Sequence, residues 1–352
     1  MTLTWYEDVL CEVNGKGGQI SSLVFLPDGM QLASACKDDS TIRLWNVEHG
    51  REVEPPMNLG VAVSAIAASK NGKWIVSGGV DGNVAIWNTT SHLQEGKSSE
   101  SHKQKITALD VSPDSLDVAS GSDDGTVMVW RIDPQPALRL ELSPLGHQPE
   151  DSSPVSSVKF SPAGSRIASG YIRSGYYTIR IWHSRTGDQL ALFPTDGQST
   201  RSLAWSSDGR QLFAGGPHGS IRCFDIVARR RSAKWEDSQS DVITSLHVSN
   251  TGQFLISASA SGRTVDIWDI RDISARKHLH SYRRSDVLSV AMSPNELYLV
   301  SGGKDRKIYK RCLSKVVETS YFFYVSIHHP HELIVFIPLL STSPLCQDCL
   351  NL

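Results

Sequence analysis

The chain repeats itself seven times. The segment Ile20 to Trp45, ISSLVFLPDGMQLASACKDDSTIRLW, returns as Val63 to Trp87 and again as Ile106 to Trp130. Further copies run Val155 to Trp182, Thr200 to Phe224, Ile243 to Trp268 and Val287 to Arg311. Their closing positions, Trp45, Trp87, Trp130, Trp182, Phe224, Trp268 and Arg311, follow one another at steps of 42, 43, 52, 42, 44 and 43 residues. A unit of this size cannot bury its own apolar face. Copies of it must stack on one another, and the chain must fold as an array.

Each copy reads as three strands. The first alternates, as in Val158 and Phe160, and ends in a turn such as Pro27-Asp28-Gly29 or Ser207-Asp208-Gly209. The second is a run of small residues, such as Leu32-Ala33-Ser34 or Val118-Ala119-Ser120-Gly121, which suits a strand crowded on both faces. A turn carrying Asp and Gly follows (Asp123-Asp124-Gly125). The third strand alternates and ends in the aromatic, as in Thr126-Val127-Met128-Val129-Trp130, where a large ring can fill the wedge between neighbouring units. A fourth strand is expected in the linkers, for example Gly50 to Pro55 or Asp188 to Phe193. No helical apolar period is sustained outside the tail, so the fold class is all-β.

Seven such copies resemble the WD40 repeat family, whose members include the β subunits of G proteins. The resemblance covers roughly Leu10 to Arg311, with the family's Trp-Asp ending present as Trp268-Asp269 and near variants at Trp45-Asn46 and Trp87-Asn88. It implies a seven-bladed β-propeller over residues 1–312 followed by an irregular, poorly ordered tail over 313–352. In the family, one chain end supplies the outer strand of the last blade. Counting back from Ile20 as Arg51 to Pro55 stands to Val63 places that strand at Asp8 to Val13, so the N-terminus is expected to latch the ring.

The resemblance also implies a buried polar chain of Asp, His, Ser or Thr, and Trp. The Asp belongs six residues before the closing aromatic, which gives Asp39, Asp81, Asp124 and Asp305, whereas Tyr176, His218 and Gly262 fill the place elsewhere. A His four residues ahead of the first strand occurs only as His102. One complete set is therefore expected: His102, Ser120, Asp124 and Trp130. A satisfied buried network of this kind rigidifies a fold. Reading His102, Ser120 and Asp124 as a nucleophilic triad is the weaker alternative, because a triad is defined by geometry and not by three residue names.

Partners of the family often dock where the blade linkers and the turns between second and third strands meet. That face would carry Gln19, Ser21, Lys105, Thr107, Ser156, Arg201, Thr244, Asp286 and Leu288 beside the first strands, and it is mixed in sign. Lys105, Arg201 and Asp286 are its charged candidates. The fourth copy adds two irregularities. Its linker, Asp133 to Pro154, holds five prolines and reads as a stiff surface loop, and its turn Gly170 to Tyr177 carries Tyr171, Arg173 and Tyr176, residue types favoured as interface anchors. The plain alternative is an insertion whose tyrosines pack on the blade. The run Arg229-Arg230-Arg231 with Lys234 and Trp235 falls where an outer strand should lie, and charge there blocks edge pairing.

Composition narrows the function. Lys plus Arg is 35 against 37 Asp plus Glu, a formal charge of −2, so no whole-molecule field selects nucleic acid or an anionic membrane. Residues 1–13 contain Glu7, Asp8 and Glu12 and no apolar core, so no signal peptide is expected, and no apolar run is long enough for a membrane helix. Four of the six cysteines sit in apolar runs, which suits reduced thiols in the cytoplasm or nucleus. The tail from Val316 loses the pattern inside a repeat, and a read-through or splice-derived segment would explain that break. Its His328, His329, His331, Cys346 and Cys349 have zinc-ligand chemistry, but one CxxC does not specify a site, and neither metal nor cofactor is assigned. No phosphate-binding glycine loop, HExxH or GxSxG occurs. The expectation is a non-catalytic scaffold for other proteins or peptides, a monomeric propeller within a complex. The alternatives are a substrate-recognition subunit of a machine such as a ubiquitin ligase, and an enzyme with its site in the central channel.

Overall fold

The computed structural model describes residues 3–12, 18–37, 40–132, 138–145, 153–172, 177–235, 242–260, 263–271, 277–283 and 286–315. They form seven four-stranded antiparallel sheets and no helix. The tail from Val316 lies outside the described residues, as do Asp39, Arg173 and Tyr176, whereas residues 313–315 belong to the last strand. Among the described residues, no helix is long and apolar enough to cross a membrane.

The first strands are Ile20–Phe25, Val63–Ala68, Ile106–Val111, Val155–Phe160, Ser202–Trp205, Ile243–Val248 and Val287–Met292. Each pairs with its small-residue second strand, which pairs with the strand bearing the closing residue. The register repeats: Leu32 lies opposite Trp45, Ile75 opposite Trp87, Val118 opposite Trp130, and so on to Leu299 opposite Arg311. The outer strand comes from the linker in blades one to six. Arg51–Asn58 and Gln189–Pro194 are as expected, and Arg230–Trp235 places the arginine run on an outer edge. The proline-rich linker of the fourth copy is not wholly loop. Leu138–Leu145 runs through it as the outer strand of the third blade, because an edge strand can carry Pro144 where an inner one cannot. In the seventh sheet Leu3–Glu12 lies beside Lys307–Lys315, with Tyr6 opposite Cys312 and Glu7 opposite Arg311.

The core lies between blades, not within them. There is one apolar cluster at each of the seven junctions, including that between blades seven and one, where Ile20, Leu23, Phe25 and Trp45 meet Ala291, Val300 and Ile308. The small second strand follows from this. A Cβ on Gly121 would come within 2.4 Å of Val155 in the next blade, and one on Gly302 within 3.0 Å of Ile20 across the closing junction. Each closing aromatic packs toward the blade before it, as Phe224 does on Phe193 with centroids 5.2 Å apart. In blade seven Arg311 takes that place and is only 5% exposed.

Candidate protein-interaction face and the buried polar network

The seven first strands line an axial cavity of about 740 Å³. In six of them the ladder slips at the second residue, and such a bulge re-aims a side chain. The side chains at that second position of each copy form a ring inside the channel, at the end where the blade linkers lie: Ser21, Ser64, Thr107, Ser156, Arg201, Thr244 and Leu288, with Arg201 in the blade that has no slip. Five are hydroxyls, and all five donate across a junction. Ser21 Oγ donates to the Val63 carbonyl (3.2 Å) and Thr244 Oγ1 to that of Val287 (2.8 Å). Ser64, Thr107 and Ser156 donate likewise to Ile106, Val155 and Thr200. The next residue adds a second seam. Ser289 Oγ accepts the amide of Leu23 across the closing junction (3.0 Å), and Ser157, Ser202 and Ser245 do the same for Leu203, Leu246 and Val290. Ser21, Thr107, Ser156 and Thr244, expected on the docking face, therefore hold blades together.

The third blade contains the complete polar chain. His102 and Asp124 side chains are 0% and 5% exposed. His102 Nδ1 lies 3.1 Å from Asp124 Oδ2, its Nε2 lies 2.7 Å from Ser120 Oγ, and Trp130 Nε1 donates to the same Oγ at 2.8 Å. With the proton on Nδ1, facing a carboxylate that can only accept, Nε2 accepts the Ser120 hydroxyl and every proton has a partner. Asp124 also accepts the Lys103 amide (2.8 Å) and both the amide and hydroxyl of Thr126 (2.9 and 2.6 Å). Burial alone would raise its pKa, but the bonds from His102 and Thr126 outweigh that and hold the carboxyl well below the usual carboxylate range. The order Ser, His, Asp does match a nucleophile, base and orienting acid. However, Ser120 is 0% exposed and its oxygen is occupied by Trp130, so no substrate carbonyl can reach it.

Part of this set recurs in other blades. Trp45, Trp87, Trp182 and Trp268 also donate to a buried serine, at 2.8 to 2.9 Å: Ser34, Ser77, Ser169 and Ser257. Blade five has Phe224 in place of Trp, and Ala214 stands where the serine would be. An indole N–H buried here needs an acceptor, and a phenyl ring needs none.

The remaining candidates separate. Tyr171 is not a surface anchor. It is 4% exposed within the junction of blades three and four, with the Arg180 guanidinium 5.2 Å from its ring centre. The strand Arg166–Tyr171 carries it into the core before the long turn begins. Lys105 is exposed and paired with Asp123 at 3.1 Å, while Asp286 holds Lys304 at 2.7 Å and Arg263 at 3.6 Å. Arg201 is exposed.

A second ring escaped the sequence reading, which took the inner strands as Ile, Ala, Ser and Val. Three residues further along each first strand, roughly 10 Å deeper, stand Val24, Ala67, Asp110, Lys159, Ala204, His247 and Ala291. Lys159 Nζ lies 3.1 Å from Asp110, which also accepts the Phe160 amide at 2.8 Å. Burial, then Lys159 and Lys70, push His247 down to about 4. Only an alignment of the seven copies by register puts these three in one layer.

Comparisons agree with this architecture. The model of the WD domain, G-beta repeat, matches seven times, at 8–46, 58–88, 94–131, 140–183, 188–225, 231–269 and 276–309. The guanine nucleotide-binding protein subunit beta of Arabidopsis thaliana is 24% identical over 62% of this chain and 59% of its own length. The periodic tryptophan protein 2 homolog of Dictyostelium discoideum is 25% identical over 70% of this chain and 26% of its own. An F-box/WD-40 repeat-containing protein of Arabidopsis thaliana is 28% identical over 71% of this chain and 46% of its own. The chain thus spans less than two thirds of each of these relatives. The solved WD40 repeats of RRP9 superpose with a TM-score of 0.74 at 19% identity, over 86% of this chain and 97% of theirs. Seven matched repeats, seven four-stranded sheets and a shared register make this chain a member of the WD40 repeat family.

Proposed function

We propose that this chain is a non-catalytic scaffold that holds other proteins or peptides at the linker end of its propeller. The observation carrying this reading is that the nucleophile-base-acid cluster found among the described residues is sealed inside the third blade and spent on structure. A rigid ring with exposed loops is what remains to act, and loops on such a scaffold are where binding usually resides. Proteins of this family typically work as binding platforms, and the fold itself selects no partner. The near-neutral charge favours protein partners over nucleic acid or membrane. Cys223 is buried, and burial pushes its thiol up to about 11, which suits a reducing cytoplasm or nucleus. The relative named as an F-box/WD-40 protein supports a second reading, in which the same surface serves as the substrate-recognition part of a larger machine. Affinity purification of the full chain with mass spectrometry tests the proposal. Proteins co-purifying in stoichiometric amounts are expected. A lone protein that turns over a compound in a substrate panel would overturn it.

A further inference from the structure

Seven copies of one strand give this molecule an internal control, and the second-residue ring departs from its own rule at two blades, five and seven, with blade six between them. Ser21, Ser64, Thr107, Ser156 and Thr244 each spend a hydroxyl on the next blade. The two exceptions, Arg201 and Leu288, flank Thr244 around the ring. The five hydroxyl residues and Leu288 are half-buried, whereas Arg201 is exposed.

The fold gains nothing visible from this arginine. Its backbone amide donates to the Gly215 carbonyl at 2.8 Å, a bond any residue could make. Its side chain has no ion pair or hydrogen bond among the described residues. Other charges at the same end have partners within the fold: Lys105 is held by Asp123, and Lys304 and Arg263 by Asp286. An arginine here also forgoes the seam bond a serine would make to the next blade. A guanidinium is a planar fork of donors that suits a carboxylate held in two-point contact. Leu288, two blades on, offers an apolar surface across Thr244.

We propose that Arg201 and Leu288 form a recognition point for an acidic side chain, Asp or Glu, presented beside an apolar residue in an extended segment of a partner protein. This deepens, and rests on, the reading of the chain as a protein-binding scaffold. The acid would sit at the linker-end mouth of the channel, against the one blade where the hydroxyl ring is broken by a cation.

The full chain would be probed on an array of nonapeptides in an Ala/Ser background. Their centres would carry Glu-Leu or Asp-Leu, or the amide counterparts Gln-Leu and Asn-Leu. Retention on the acidic members at least tenfold above the amides is expected, falling as salt is raised. Arg201→Ser restores the ring's own residue, so it should abolish the preference with an unchanged or higher melting temperature. Arg201→Gln should also abolish the preference, and Arg201→Lys should keep part of it. Equal retention of acids and amides, or none of either, overturns the proposal. So does a melting temperature that falls by several degrees in Arg201→Ser, which would make the arginine structural. Affinity purification separates this outcome from the broader reading. If wild type and Arg201→Ser retain the same stoichiometric partners, the scaffold stands and the acidic recognition point falls. If neither retains any, the scaffold reading falls with it.

Discussion

At the scale of single residues, the described polar groups inside the ring fall into two kinds. Some close a network, as Asp124 does. Replacing Asp124 with Asn keeps its size but puts an amide where His102 and Thr126 need an acceptor. A loss of roughly 1–3 kcal/mol is expected by urea denaturation, the usual cost of a buried polar group left unmatched. A variant as stable as the parent would remove the network from the account of blade three. His247 is of the other kind, a titratable group kept neutral by its surroundings. Folded, it takes up a proton only near pH 4, whereas in the unfolded chain it does so near the ordinary 6.5. Between those values the unfolded chain binds more protons, so stability is full above about 6.5 and falls as pH drops toward 4. The shift is worth at most about 3 kcal/mol, less whatever channel water screens. His247→Asn should therefore flatten the acid limb of a stability-against-pH curve measured from pH 7 to 4. Parallel curves for parent and variant would show that His247 does not carry this dependence.

At the scale of the element, the pairing of Trp with Ser in five blades, and of Phe224 with Ala214 in the sixth case, predicts coupling. Ser257→Ala leaves the Trp268 N–H buried without its acceptor. Trp268→Phe leaves a hydroxyl without its donor. The double variant reproduces the arrangement blade five already uses. A double-mutant cycle by thermal or urea melting should show a coupling of about 1 kcal/mol or more, with the double variant more stable than the sum of the singles implies. Strict additivity would break the link between the two positions. The elements themselves were legible in sequence, because alternation, turn residues and the closing aromatic recur at one spacing. The polar candidates were read less well. His102, Ser120, Asp124 and Trp130 came from a family pattern and are bonded together as that pattern implies. Tyr171 looked like a surface anchor because composition marks interface residue types but not which side of a strand they face. The roles of Ser21, Thr107, Ser156 and Thr244 depend on a carbonyl in the next blade, more than forty residues away, which no local window contains.

At the scale of the whole molecule, a ring of blades has to be joined somewhere, and the joint lies between blades seven and one. Three observations bear on it. The junction has its own apolar cluster, Ser289 accepts the Leu23 amide across it, and Leu3–Glu12 lies beside the last strand of blade seven. The first two resemble what other junctions have. The third is particular to this blade, because here the outer strand comes from the opposite end of the chain and not from the next linker. Blade seven is also the blade in which Arg311 replaces the closing aromatic, so it has less apolar filling of its own to rely on. Without residues 1–14, the strand Lys307–Lys315 would become an open edge, and a long uncovered edge both loses its ladder bonds and invites pairing with other chains. The deletion should lower the melting temperature by more than ten degrees, since loss of several ladder bonds at about 1 kcal/mol each exceeds what a domain of this size tolerates without a shift. Aggregation of the truncated chain on heating should rise in parallel. Deleting residues 1–2 alone, which leaves the whole ladder, should change neither. A truncated chain that melts like the parent would mean that packing and Ser289 alone hold the joint, and that the N-terminal strand is an accessory and not a latch.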